Sequence, residues 1–232
     1  FVINKKNQNF NAEGILALKA NINDVKKTKY LLNMLSNHDF ITKFQTSFDI
    51  KTSFSFQLDK NLKIKNLLTK GSGKITSLNI NHNMNTNKLK KIFVNYNNSL
   101  KAKDTNINFT TKNKLYSFEL DGLINLADKY EKFKSKIIFN EKRNTKNFDI
   151  ELNVKSLNIK LPNLNYEKKI GDFANLKFKG DYKDKESFNL EFVEFKESDN
   201  FILIKNVSVN EKIEINNIKE LAVRTKHNNS VN

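Results

Sequence analysis

From Ser47 to Asp59 the chain alternates, residue by residue, between two kinds of side chain. Phe48, Ile50, Thr52, Phe54, Phe56 and Leu58 share one parity; Ser47, Asp49, Lys51, Ser53, Ser55, Gln57 and Asp59 share the other. Successive side chains of a strand point to opposite faces, so the segment predicts a ribbon with one apolar and one polar surface. The same pattern predicts strands over Phe10 to Ile22, Leu62 to Leu67, Lys74 to Asn81, Lys90 to Tyr96 and Leu100 to Phe109. It continues over Leu115 to Leu126, Tyr130 to Phe139, Phe148 to Ile159, Asn175 to Tyr182, Ser187 to Phe195, Phe201 to Val209 and Lys212 to Ile218. Phe148, Ile150, Leu152 and Val154 alternate until Leu157, Ile159 and Leu161 take up the opposite parity, which predicts a β-bulge near Lys155 and Ser156. One segment breaks the rule. From about Asp24 to Asn37, Val25, Leu31, Leu32, Met34 and Leu35 recur at helical spacing behind a capping Asn23 or Asp24, predicting a short helix that plugs one end of a sheet.

The polar strings between strands, such as TTKNK, NEKRNTKN, DYKDKES and ESDN, are of hairpin length, with Asn and Asp in place of turn glycines. Gly71-Ser72-Gly73-Lys74 reads as another such turn; it lacks the spacing of a phosphate loop. Hairpins exclude parallel crossovers, so the fold expected is an all-β, long antiparallel meander with one short α-helix near the N-terminus. A sheet of a dozen strands cannot stay flat with one apolar face in water. It closes, folds over, or curls into an elongated groove shaped like a taco shell. Six glycines and the single Pro162 leave no visible linker, so residues 1–232 are expected to form one β-groove segment. The start at Phe1 and the polar end HNNSVN are expected of an internal piece of a longer protein.

A net charge of +16 invites a nucleic-acid or anionic-membrane partner. Only Arg143 and Arg224 carry the planar fork that reads phosphate and guanine, and the abundance of Lys, Asn, Ile and Phe is the bias of an AT-rich genome. Phe and Lys also fall on opposite parities, as in Leu176-Lys177-Phe178-Lys179, whereas a stacking platform needs ring and cation on one surface. No specific nucleic-acid partner is therefore expected. Without cysteine there is no disulfide, and His38, His82 and His227 stand far apart in polar sequence, without metal-ligand spacing. Glu191, Glu194, Glu197 and Asp199 gather near a turn among lysines, as a solvated rim does. Neither an enzyme nor a cofactor is expected.

What remains is the apolar face, whose prominent positions are Phe48, Ile50, Phe54, Phe56, Leu58, Phe148, Ile150, Leu152, Val154, Phe178, Phe188, Leu190 and Phe192. Two readings stand side by side. These residues form the inside of a structural or adhesive β-sandwich, or they line a conduit for acyl chains.

The tail adds a likeness. Gly171-Asp172-Phe173-Ala174-Asn175-Leu176 and Leu176-Lys177-Phe178-Lys179-Gly180, together with the stretch from Thr46 to Ile80, resemble the loosely repeated phrases of the AsmA-like superfamily, which includes TamB-type envelope proteins. The resemblance implies a lipid-binding segment of a bridge-like protein that moves phospholipid between membranes, with acyl chains in a hydrophobic groove. It also implies a periplasmic location and a parent protein anchored in the inner membrane, so that phospholipid or another lipid is the expected partner and membranes are met through the parent. The chain contains no tether of its own, and the closing C-terminal region of such proteins is not evident in it.

Overall fold

The computed structural model describes residues 2–6, 9–23, 41–82, 87–183, 188–210 and 215–224. The helix expected at 24–37, together with His38 and His227, lies outside the described residues. In chain order the strands are β1 (Val2–Lys6), β2 (Asn9–Ile22), β3 (Ile41–Leu58) and β4 (Ile64–His82), followed by a short helix α1 (Asn87–Ile92). Then come β5 (Ser99–Lys112), β6 (Leu115–Asn125), β7 (Tyr130–Asn140), β8 (Thr145–Asn153) and β9 (Ile159–Leu161). After a 3-10 turn at Pro162–Leu164 follow β10 (Tyr166–Lys168), β11 (Asn175–Lys183), β12 (Phe188–Glu197), β13 (Asn200–Val209) and β14 (Ile215–Arg224).

Twelve of these strands form one antiparallel sheet, ordered as in the chain except that β8 pairs directly with β11. β9 and β10 make a separate two-stranded sheet within that excursion. Among the described residues β1 and β14 are the two edges, so the sheet is open. The expected all-β meander is what forms.

The apolar parity is preserved across the sheet because register keeps like beside like. Phe118 pairs with Phe109 and Ile137, Phe148 with Ile137 and Gly180, and Ile150 with Ser135 and Phe178. On the opposite face, lysines and carboxylates alternate from strand to strand. One row runs Asp121, Lys134, Glu151, Lys177; the next runs Glu119, Lys136, Asp149, Lys179. Lys136 lies 2.8 Å from Glu119, and Lys177 lies 3.1 Å from Glu151. These pairs are exposed and each contributes little, but opposite charges in register oppose a one-residue slip.

Bulges mend the alternation where the sequence breaks it. Leu100 and Ala102 face inward on even positions of β5, and Thr105, Ile107 and Phe109 on odd ones. The register against β6 shifts between Lys103 and Asn106, where Asp104 takes φ 49°. Asp and Asn tolerate this left-handed conformation better than other residues with a β-carbon. β3 and β4 shift likewise next to Ser47 and Phe48, which carries β4 from Ile75 to Leu78 on the same face.

All five strand glycines lie on the apolar face, paired with Phe54, Phe109, Ile107, Phe133 and Phe148. A β-carbon at Gly14 would stand 2.7 Å from Cζ of Phe54, and one at Gly180 would stand 2.9 Å from Cζ of Phe148. At Gly14, Gly71 and Gly180 the missing β-carbon makes room for a ring lying across the neighbouring strand, whereas at Gly73 and Gly122 it lets the next strand's backbone approach closely, at Asp49 and Ile50 and at Thr105. This corrects the turn expected at Gly71 to Lys74. Those residues are the middle of β4, where the Phe109 ring covers Gly71 and the backbone of Asp49 and Ile50 crowds Gly73.

Two further expectations give way. Lys90 to Tyr96 is not a strand: Asn87–Ile92 is helical, and Phe93 forms an isolated bridge with Ile159. Nor does the chain pass from β8 through a bulge at Lys155 and Ser156. The Glu131 carboxylate accepts the backbone N–H groups of both residues, which ends the ladder and turns the chain off the sheet.

Candidate functional site

The two ends of the apolar face are built differently. At one end residues 154–174 fold back as a plug, joined by the loop after α1. Val154 and Ala174 are 0% exposed, and with Leu157, Ile159 and Tyr166 they pack on Ile124, Phe133, Leu152, Phe195 and Ile202. Asn95 locks loop to plug: its amide donates to the Ser156 carbonyl at 2.9 Å, and its side-chain oxygen accepts from Asn158 N at 2.8 Å.

Charge also holds the plug. Lys168 is fully buried, and its ammonium donates to the carbonyls of Leu157 at 2.8 Å, Lys169 at 2.9 Å and Lys155 at 3.2 Å. Desolvation pulls its pKa below the ordinary lysine value, against the attraction of Glu197, Glu131 and Asp172. The Tyr166 hydroxyl donates to Glu197, and burial foremost, with that carboxylate, raises its pKa. Glu197, expected on a solvated rim, thus tethers the plug to β12. Glu191 and Glu194 do pair with exposed lysines, Lys179 and Lys196.

At the other end the same face carries aromatic rings. Phe54 and Phe56 stack at 6.2 Å, Phe109 and Phe118 meet at 6.2 Å, and Tyr116 stacks on Phe139 at 5.7 Å. Phe148 touches Phe178 at 6.1 Å and stacks on Phe188 at 5.1 Å, reaching across β11 where Gly180 leaves space. These rings are half-buried: they pack side against side on their own sheet, and no second layer covers them among the described residues. The trough is broad and shallow. Open hollows of about 350, 460 and 620 Å³ lie instead mainly against the polar face, and the smallest of the three runs along Glu119, Asp121, Lys136 and Asp149.

The expected lining residues divide accordingly. Phe48, Ile50, Phe54, Phe56 and Leu58 share one face of β3 and are half-buried. Phe148, Phe188 and Leu190 continue it on β8 and β12, and Ile150 and Phe178, on β8 and β11, join it to the plugged core, against which they pack. Leu152 and Val154 belong to the plugged core, closed over by Leu157, Ile159 and Tyr166. Phe192 leaves the row. A register shift beside Lys179 and Gly180 sets it across from Lys179 and Lys205, and Val193 takes the place between Phe178 and Ile204. Of the quoted tail phrase, Ala174 is plug core whereas Phe173 is 61% exposed.

Sequence reasoning passed over Phe109, Phe118, Phe139 and Tyr116, although their alternation within β5, β6 and β7 was visible. His82, the one described histidine, lies within 2.7 Å of the Tyr96 hydroxyl, and burial lowers its pKa. Among the described residues no three His, Cys, Asp or Glu side chains gather as a metal site, and no helix is long and apolar enough to cross a membrane.

The fold and site together define a single open antiparallel sheet, curled around an apolar face that is plugged at one end and aromatic at the other. No protein-family model, curated protein or solved structure matches the chain.

Proposed function

We propose that the aromatic half of the trough holds acyl chains, making this chain a lipid-binding segment of a bridge-like protein that passes phospholipid between membranes. One observation carries the reading: half-buried rings on β3, β5, β6, β7, β8, β11 and β12 share one face with no covering layer among the described residues. Burying an alkyl chain there gains about 0.8 kcal/mol per methylene, and because that gain is non-directional it lets the chain slide along the rings. The resemblance to AsmA-like proteins points the same way and would place the parent protein in the periplasm, anchored in the inner membrane.

The plugged end favours a second reading, in which the whole face is core and the chain is a structural or adhesive domain. There the same parity already serves as ordinary interior. Purification followed by solvent extraction and mass spectrometry separates the two. The lipid reading expects bound phospholipid that is lost in Phe56→Asp and Phe118→Asp while the circular dichroism of the sheet persists. Protein that carries no lipid, and takes up none when offered, leaves the structural reading in place.

A further inference from the structure

One cation sits among the aromatic rings. Lys146 has the parity of Phe148 and Ile150 on β8, and its register partners are Phe139 and Tyr182. Its ammonium lies 5.7 Å from the centre of the Phe139 ring and 5.5 Å from that of Tyr182, so it is held over two ring faces at the end of the strip away from the plug. Two of the neighbouring hairpins are basic. Lys112 and Lys114 close β5 to β6, and Lys142 and Arg143 lie in the turn from β7 to β8, against the single carboxylate Glu141 in those two turns. Glu141 is itself engaged by Lys114 at 2.7 Å and by the Tyr116 hydroxyl at 3.0 Å.

We infer that the open end of the trough is a headgroup site for a phosphate-bearing amphiphile. The alkyl chain lies along Phe148 and Phe118, and the phosphate meets Lys146, with the flanking basic turns supplying further attraction. The inference rests on the lipid reading and adds the polarity and chemistry of the ligand to it. A nonionic amphiphile would gain the same burial along the rings and nothing at Lys146. A cation fixed over rings is partly desolvated, which strengthens its pairing with an oxyanion relative to a lysine free in water.

The test titrates the full 232-residue chain with dodecyl phosphate and with dodecyl maltoside, each below its micelle concentration at low salt, by calorimetry. The expected result is tighter binding of the phosphate by about tenfold, the scale of one charge-assisted hydrogen bond. Lys146→Gln should remove most of that preference without changing maltoside binding, and Lys146→Arg should restore it. Lys177→Gln, on the polar face, should leave it intact. Equal affinity for the two probes, or an equal loss in Lys177→Gln, overturns the headgroup site while leaving the lipid reading standing. Failure of both probes to bind overturns the lipid reading itself, and the site with it.

Discussion

The plugged and open ends of the sheet start from the same alternation and finish it with different side chains. Under the plug the face is largely aliphatic: Leu152, Val154, Leu157, Ile159 and Ile202 fit together and lose nearly all contact with water. At the open end it is aromatic: Phe54, Phe109 and Phe148 lie over the bare backbone of Gly14, Gly71 and Gly180 and pack on neighbouring rings without being covered among the described residues. Small branched side chains suit a closed interior because they interdigitate from two sides. Large flat rings suit an uncovered sheet because each shields area on its own strand and the next. The difference teaches that one period-two pattern can make a core and a wet apolar strip in the same sheet.

The contrast puts the heaviest losses at the smaller residues. Val154→Asp places an uncompensated charge where no water reaches and should cost more than about 3 kcal/mol, unfolding the plug in urea melts. Leu152→Ala should cost about 2–4 kcal/mol. Phe118→Ala removes a bigger side chain from a half-covered site and should cost roughly half as much as Leu152→Ala. Equal losses at Leu152 and Phe118 would mean that the open end is covered after all.

Gly73→Val probes the curl itself. Its side chain would meet the backbone of Asp49 and Ile50, and overpacking of this kind costs about 1–3 kcal/mol. The same change at Gly171, in a turn with φ 103° and open space around it, would test backbone strain alone. Lys168→Met should cost about 1–3 kcal/mol, because three buried carbonyls lose their donor. Hydrogen exchange at residues 155–169 should accelerate while the amides of β3 stay protected, since the plug is fastened by that ammonium and the open end is not.

The smallest effect expected is one of pH. Burial lowers the pKa of His82, so below the free-imidazole value of 6.5 the unfolded chain binds more protons than the folded one. The stability that this histidine contributes is therefore complete above about pH 6.5 and lost as the pH falls through its depressed folded value. His82→Gln should flatten this part of the stability curve by a fraction of a kcal/mol. A slope unchanged by the substitution would assign the dependence to carboxylates.

Much of the sheet was legible. β2, β6, β7, β11 and β13 fall within a residue or two of where alternation predicts them, because strands with one wet face leave a clean period of two. Three places misled for identifiable reasons. Gly71 and Gly73 look like a turn, but their bareness admits the Phe109 ring at one and the backbone of Asp49 and Ile50 at the other, and local sequence does not show what lies across a ladder. Leu157, Ile159 and Leu161 look like more of the strand they follow, because the apolar face they complete is their own. Phe192 follows Phe188 and Leu190 in parity, and only the register shift against β11 moves it among lysines.

By itself the sequence determined that the chain makes antiparallel strands with an apolar and a charged face, since side-chain parity and hairpin-length polar strings are local properties. The tertiary structure alone decided which part of the apolar face is sealed. The seal is made by contacts such as Asn95 to Ser156, 61 residues apart, and by carbonyls converging on Lys168. An alternating pattern fixes where a side chain points; what it meets there depends on segments brought from elsewhere in the chain.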